Sequence, residues 1–276
     1  MNKWVCGVLV SVCLSFPLCG SGASLEEMAR PMHETSSKHW VSADWRTSSC
    51  LVNTKYIHYD KATNRLSFWT KSMNREERTN PQIKRAGSVS KVIVDIKTMS
   101  YAFEYSDGWD IKEDRVLEPT TTSVNKLSFD PILPDDCFME NPINMALELA
   151  KLPTIPKPHS YKLVATKKCP SEELPDRVKS RAISMYLCTD FYVKDISEDI
   201  WRFYIKLEYY NKLTNGKSNQ YVYGTQPVYV NFKKGTIQFE YPDNTYKINE
   251  SGYPKDVYDG ICELIKSKND TPEERI

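Results

Sequence analysis

Outside the first 23 residues the chain carries four histidines (His33, His39, His58, His159) and five cysteines (Cys50, Cys137, Cys169, Cys188, Cys262). These are the residues with metal-binding or nucleophilic chemistry, and their spacing arranges none of it. No His-x-x-x-His or Cys-x-x-Cys occurs, so no metal set is written into the chain locally. There is no Gly-x-Ser-x-Gly elbow and no phosphate-cradling glycine loop, and glycine numbers only ten. A Cys–His nucleophile would need Cys137, Cys169 or Cys188 beside a histidine, and no spacing brings them together. A disulfide or a buried thiol is the expected state of these cysteines. Five is odd, so at least one stays free or pairs between chains; Cys169–Cys188 is the favoured bridge. No catalytic residue, metal ligand or cofactor is assigned from sequence, and a non-enzymatic protein is expected.

Two other sets remain. Glu104 and Glu240 repeat at equivalent places in the chain. As outward residues of a strand they read as solvated or ion-paired, and they could work together only if two halves of the molecule faced each other. Trp69, Tyr101, Tyr204 and Tyr229 fall on the polar side of alternating runs. If that side is open they form a possible binding surface. If another part of the chain covers it they are core. Residues 71–78 mix both charges and read as a loop, not as a basic patch.

The elements that must position these residues come in two sets. Residues 92–107 (VIVDIKTMSYAFEYSD) and 228–243 (VYVNFKKGTIQFEYPD) lie 136 residues apart and agree at seven of sixteen positions, including Phe103/Phe239, Glu104/Glu240 and Tyr105/Tyr241. Upstream, Phe68-Trp69 answers to Phe203-Tyr204. A period this long means two copies of one domain, not a short-repeat solenoid. Within each copy the period is two. Trp201, Phe203, Ile205 and Leu207 alternate with Arg202, Tyr204, Lys206 and Glu208, the pattern of a strand with one buried face. Lys233-Lys234-Gly235 predicts a hairpin turn with Gly235 at the unusual backbone angle; Lys97-Thr98-Met99 lacks a glycine and predicts a different turn. Each copy closes on a helix. Val257, Ile261, Leu264 and Ile265 make one stripe behind Pro254. In the first copy Asn141 is the expected cap, followed by Pro142 and a stripe of Met145, Leu147, Leu149 and Ala150. The first copy carries about two dozen extra residues over 110–138, a candidate binding loop or a strap over the sheet. The class is α+β: two tandem domains, each a small antiparallel sheet with a packed C-terminal helix.

Residues 1–23 read as a signal peptide, with Lys3, an apolar run and Ser21-Gly22-Ala23 at the cleavage positions. The expectation is an exported protein, in the periplasm, at the cell surface or secreted, with no membrane span left after cleavage. Residues 24–38 read as a loose leader. The first domain spans 39–152, the proline-rich 152–158 connects, the second domain spans 160–266, and 267–276 reads as a disordered tail. A net charge of +1 gives no electrostatic reason for a nucleic-acid partner.

The order of strand, Trp-containing strand, long loop, aromatic hairpin and Pro-initiated helix resembles the bacterial surface-adhesin protein E-like family. Trp40-Val41, the run Leu51 to Asp60, Leu66 to Lys71, the hairpin from Val92 to Tyr105 and Asn141-Pro142 carry the resemblance over most of 39–151, and more faintly over 161–266. The chain departs from that pattern at Ile96 and Phe232, where the family often has cysteine, and Cys262 lies inside a helix, so the family's usual disulfide lacks its partners. The resemblance implies a binding or adhesin-like role, with host matrix or plasma proteins, or another envelope protein, as partner. An envelope structural or assembly role, and a hydrolase with an interdomain site, are the alternatives.

Overall fold

A computed structural model describes residues 39–43, 48–74, 87–110, 115–116, 127–136, 138–197, 199–240, 244–249 and 251–270. The expected signal peptide and leader lie outside these residues, as do most of the 110–138 insertion and residues 271–276. The described chain is mostly antiparallel β-sheet, in two sheets, with two α-helices.

The first sheet runs β1 (Trp40–Ser42), β2 (Ser48–Asn53), β4 (Arg65–Asn74), β5 (Gly87–Asp95), β6 (Ser100–Asp110), β7 (Arg115–Val116). Off that path, β3 (His58–Asp60) pairs with β4 and β8 (Asp130–Pro131) with β6. The second runs β9 (Tyr161–Lys168), β10 (Val178–Cys188), β12 (Ile200–Leu213), β13 (Ser218–Asn231), β14 (Thr236–Phe239), β15 (Asn244–Lys247), with β11 (Val193–Ser197) on β12. The strand orders correspond from β1–β2–β4–β5–β6 to β9–β10–β12–β13–β14, and β15 pairs beside its hairpin turn as β8 does, while β7 has no counterpart among the described residues. The central hairpins also share their register: Val92 faces Phe103 in one and Val228 faces Phe239 in the other.

The two hairpin turns are the same, contrary to the expectation from the missing glycine. Asp95 faces Ser100 and Asn231 faces Thr236, so each turn encloses four residues. Asp95 accepts from the Thr98 amide and Asn231 from the Lys234 amide. The last turn residue takes positive φ in both, +44° at Met99 and +62° at Gly235. Its carbonyl then accepts from the chain that returns beside it, Ile132 in one half and Ile248 in the other. Local side-chain capping and that carbonyl contact hold Met99 in a conformation that glycine takes freely.

Helix α1 (Glu140–Leu149) packs on β2 and β4, and α2 (Tyr253–Ser267) on β9 and β10. The α2 stripe is Val257, Ile261, Leu264 and Ile265, as the spacing requires. In α1 the helix begins two residues earlier than expected. Met139 stands at the cap without a side-chain bond, and the buried positions are Glu140, Pro142, Ile143, Ala146 and Leu147, while Leu149 is exposed. Lys268 to Asp270 are also ordered: their amides close α2, and the Asp270 carboxylate accepts from Tyr192.

The strand β12 shows how the halves join. Phe203 and Ile205 enter the core under α2 with Val228, Ile237 and Phe239. Tyr204, on the opposite face, joins Cys188, Phe191 and Val193 in a second cluster that continues into Ile132, Ile143 and Phe68 of the first half. Arg202, also buried, donates to the carbonyls of Thr98 and Met99, the latter at 2.8 Å. The period of two holds, but both faces are covered.

Candidate functional site

That second covered face decides the fate of the expected aromatic surface. Trp69 is 3% exposed and Tyr204 0%. Tyr101 and Tyr229 are half-buried. Trp69 stacks at a tilt on Tyr105, with centroids 5.6 Å apart. Tyr101 sits edge-on to Phe103 against the first core. Arg202 lies over Tyr204, 5.6 Å to the centroid, and its charge reaches Tyr229 and Glu240. Burial pushes the Tyr101 phenol up to about 12 and raises that of Tyr229. The four residues therefore do not form an outward binding face. Alternation marks two faces of a strand but not what lies against the second. The two repeated carboxylates are also separate: Glu104 pairs with Lys91 at 2.5 Å, while Glu240 feels Asp130 and Arg202.

The chemistry gathers instead where the connector meets the second sheet. The side chain of Asn144 in α1 holds both backbone groups of Ile155, donating to its carbonyl at 3.1 Å and accepting from its amide at 2.7 Å. The connector is thereby fixed along the helix, and His159 is delivered beside Glu140. On its far side, β9 pairs with β10 so that Tyr161 faces Cys188. His159 lies two residues before Tyr161, and Asp190 lies two after Cys188. The Ser160 amide donates to Asp190 Oδ2 at 2.7 Å, and the Thr189 amide to the Ser160 carbonyl at 2.8 Å, which closes the corner.

The result is a buried polar cluster in an otherwise apolar contact. His159 Nε2 is 2.6 Å from Glu140 Oε1, and Nδ1 is 3.1 Å from Asp190 Oδ1. The Cys188 thiol donates to Asp190 Oδ1 at 3.2 Å, and its sulfur lies 3.8 Å from His159 Nδ1. Glu140 Oε2 takes Lys157 Nζ at 2.9 Å and the Asp135 amide at 3.1 Å. The side chains of His159 and Glu140 are fully covered. Burial alone would lower the imidazole's pKa, but its bonds to Cys188, Glu140 and Asp190 outweigh that and raise it to about 10. Burial pushes the Cys188 thiol up, with the Asp190 charge adding to it. Asp190 is lowered, because its bonds from His159, Cys188 and the Ser160 amide exceed its desolvation. A covered thiol with a raised pKa, beside a histidine already holding its proton, is a poor nucleophile.

His159, Cys188 and Asp190 are the one group among the described residues whose three ligand-type atoms lie within 4.8 Å of one another. Sequence spacing missed them, since 31 residues separate His159 from Asp190 and only the register of β9 on β10 joins them. His39 and His58 stand apart from it, and His33 is outside the described residues. The Cys169–Cys188 bridge does not form, and Cys50, Cys169, Cys188 and Cys262 are free thiols. Cys169 bonds opposite Arg181, so it lies seven residues along β10 from Cys188. That is roughly 20 Å at strand rise, against about 7 Å of Cα separation for a disulfide.

One further surface stands out. The β12–β13 hairpin is backed by β10 as far as Leu213, but on its other side β14 pairs with β13 only over Val228–Asn231. From Ser218 to Pro227 the other edge of β13 has no strand partner among the described residues. Nothing on Ser218–Gln226 is charged. Tyr221, Val222 and Tyr223 are 40%, 57% and 63% exposed. A cavity of about 300 Å³ is lined by Leu133 to Asp136 together with Lys206 of β12 and Val222, Gly224 and Thr225 of β13.

No family model, no curated protein and no solved structure matches the chain. Among the described residues, no helix is long and apolar enough to cross a membrane.

Proposed function

We propose that the chain is an exported, non-enzymatic binding protein of two tandem domains, each a small antiparallel sheet followed by a packed helix, and that it captures an extended segment of a protein partner along the open edge of β13. The partner class is an adhesion target, a host matrix or plasma protein, in line with the resemblance to the surface-adhesin protein E-like family. The duplication is supported by the shared strand order and by the identical hairpin turns.

The observation that carries the binding mode is the uncharged edge from Ser218 to Gln226 with its exposed Tyr-Val-Tyr. An open edge offers a row of backbone donors and acceptors, and natural proteins usually blunt it with charge, proline or a cover. Here the described residues leave it uncovered. A strand added there would gain main-chain hydrogen bonds, with alternate side chains giving selectivity. The cavity beside Val222 has room for one anchoring side chain of that strand. The β12–β13 register slips so that Tyr223 is left as a bulge beside Gly224, where φ is +141°, and the open stretch ends where β14 joins at Val228.

The test is surface plasmon resonance of the full chain over immobilised matrix and plasma proteins, with Val222→Lys as the comparison. Saturable binding that falls at least about tenfold in Val222→Lys, with an unchanged thermal midpoint, supports the reading. No binding by the unaltered chain, or binding indifferent to the substitution, overturns it. Sedimentation in the same buffers reports whether a second copy of the chain takes the edge instead, which also overturns it.

A further inference from the structure

We propose that His159, Cys188 and Asp190 form a zinc site at the contact between the two sheets, with Glu140 orienting the histidine from behind. The proposal is independent of the binding reading above.

The geometry comes first. The three ligand atoms are separated by 3.1, 3.2 and 3.8 Å. A point equidistant from atoms so spaced lies about 2 Å from each, close to zinc's bonds of about 2.0–2.2 Å to nitrogen and oxygen and about 2.3 Å to sulfur. Moving the ion slightly out of the triangle lengthens all three bonds and opens a fourth position for water. The donor set of one thiolate, one imidazole and one carboxylate suits zinc and not the hard cations calcium and magnesium, which want oxygen alone.

The surroundings fit the same chemistry. A zinc-bound histidine usually donates its second ring N–H to a carboxylate, which fixes the tautomer. Glu140 Oε1 stands 2.6 Å from Nε2, on the side of the ring away from the triangle. Glu140 is in turn held by Lys157 and by the Asp135 amide. Asp190 is held by the Ser160 amide through Oδ2, leaving Oδ1 for the ion. Phe191 packs beside the ring, 6.0 Å between centroids. The Asp190 side chain keeps 22% of its surface open, a path by which an ion enters. The thiol hydrogen now points at Asp190 Oδ1, in the region the cation takes. On binding, the Cys188 S–H bond and the His159 Nδ1–H bond break, both protons pass to buffer, and sulfur–zinc and nitrogen–zinc bonds form while Nε2–H stays on Glu140; no electron is transferred.

The residues come from three places: the connector supplies His159, the end of β10 and its following turn supply Cys188 and Asp190, and α1 supplies Glu140. An ion here ties the second sheet to the helix of the first half.

The experiment uses the full chain stripped by dialysis against a chelator. Titration calorimetry with zinc chloride should give about one equivalent per chain, and cobalt(II) should give thiolate-to-metal charge-transfer absorption in the near ultraviolet. Cys188→Ser should abolish that absorption. Glu140→Gln should weaken zinc binding about 10–100-fold, and Cys262→Ser should change neither readout. X-ray absorption of the zinc-loaded unaltered chain needs no variant, so it decides the matter even if Cys188→Ser fails to fold: one sulfur with nitrogen and oxygen neighbours is expected. No uptake, a shell without sulfur, or cobalt absorption that persists in a folded Cys188→Ser chain overturns the proposal.

Discussion

At the scale of single residues, two kinds of burial make opposite demands. Phe203 and Phe239 are 0% and 1% exposed in the core under α2, and their alternation in the sequence is enough to place them there. Truncating either to alanine should cost about 3–5 kcal/mol, from lost transfer energy and the cavity left behind; urea denaturation measures it. Cys50 is buried too, and desolvation pushes its thiol from 9.0 up to about 12. The sign follows directly: the neutral thiol persists until pH rises toward that value. In the native chain at pH 8, Cys50 should therefore resist a disulfide reagent that reads out mixed-disulfide formation, and should react fully in denaturant. Mass mapping of native labelling at Cys50 comparable to that of denatured chain would contradict this. No local pattern announces three other covered polar side chains, those of His159, Glu140 and Arg202. Each takes a partner far off in the chain; Arg202 reaches the turn at Thr98 and Met99 through Nη2, while its buried Nε has no hydrogen-bond partner.

At the scale of elements, the close approach of α2 to β9 sets a precise constraint. The β9–β10 register slips so that Ala165 and Leu163 face successive β10 residues and Val164 is left as the bulge. That bulge meets the helix at Gly260, where an added Cβ would lie 2.5 Å from Val164 Cγ1. Alanine is the better helix former by about 1 kcal/mol, yet Gly260→Ala should destabilise, because the clash outweighs propensity. Adding Val164→Ala should recover part of the loss, and a double-mutant cycle in denaturant measures the coupling. Additive effects would show that Gly260 is not there for the approach. The turn at Gly235 poses a second test. Its φ of +62° costs an L-residue about 1–2 kcal/mol, so Gly235→Ala should lower stability by about that amount. Met99 shows that the same turn tolerates a side chain when the neighbouring contacts hold it. The alternating strands, the α2 stripe and the two hairpins are legible in the sequence because local period sets which residues share a face. The α1 stripe is less so: a fully covered glutamate in its first turn, drawn to His159 and Lys157, breaks the apolar pattern that marks a buried face.

At the scale of the whole molecule, the halves are not independent. One apolar cluster runs from Phe68 and Ile143 to Phe191 and Tyr204, and the Glu140–His159–Asp190 bonds cross the same contact. Calorimetry should therefore show a single unfolding transition, and two resolved transitions would contradict a shared core. This contact is also why Tyr204 and Tyr101 do not face solvent; Trp69, on the other face of β4 from Phe68, is buried against Tyr105 instead. A strand with polar and apolar residues in alternation is read as half-solvated, but Arg202 and Tyr204 are polar at their tips only and pack a large body against the other half. With that face closed, Tyr221, Val222 and Tyr223 are three consecutive exposed large apolar residues on β13, while the other exposed ones among the described residues, such as Val41, Phe138, Leu149 and Leu163, are scattered. The most direct test of binding through this edge is amide hydrogen exchange across Ser218–Gln226, in the free chain and with a saturating matrix or plasma protein. Strand addition predicts fast exchange of the outward-facing amides in the free chain and strong protection in the complex, with little change in the first sheet. Protection confined to other segments, with Ser218–Gln226 exchanging equally fast in both, would contradict it.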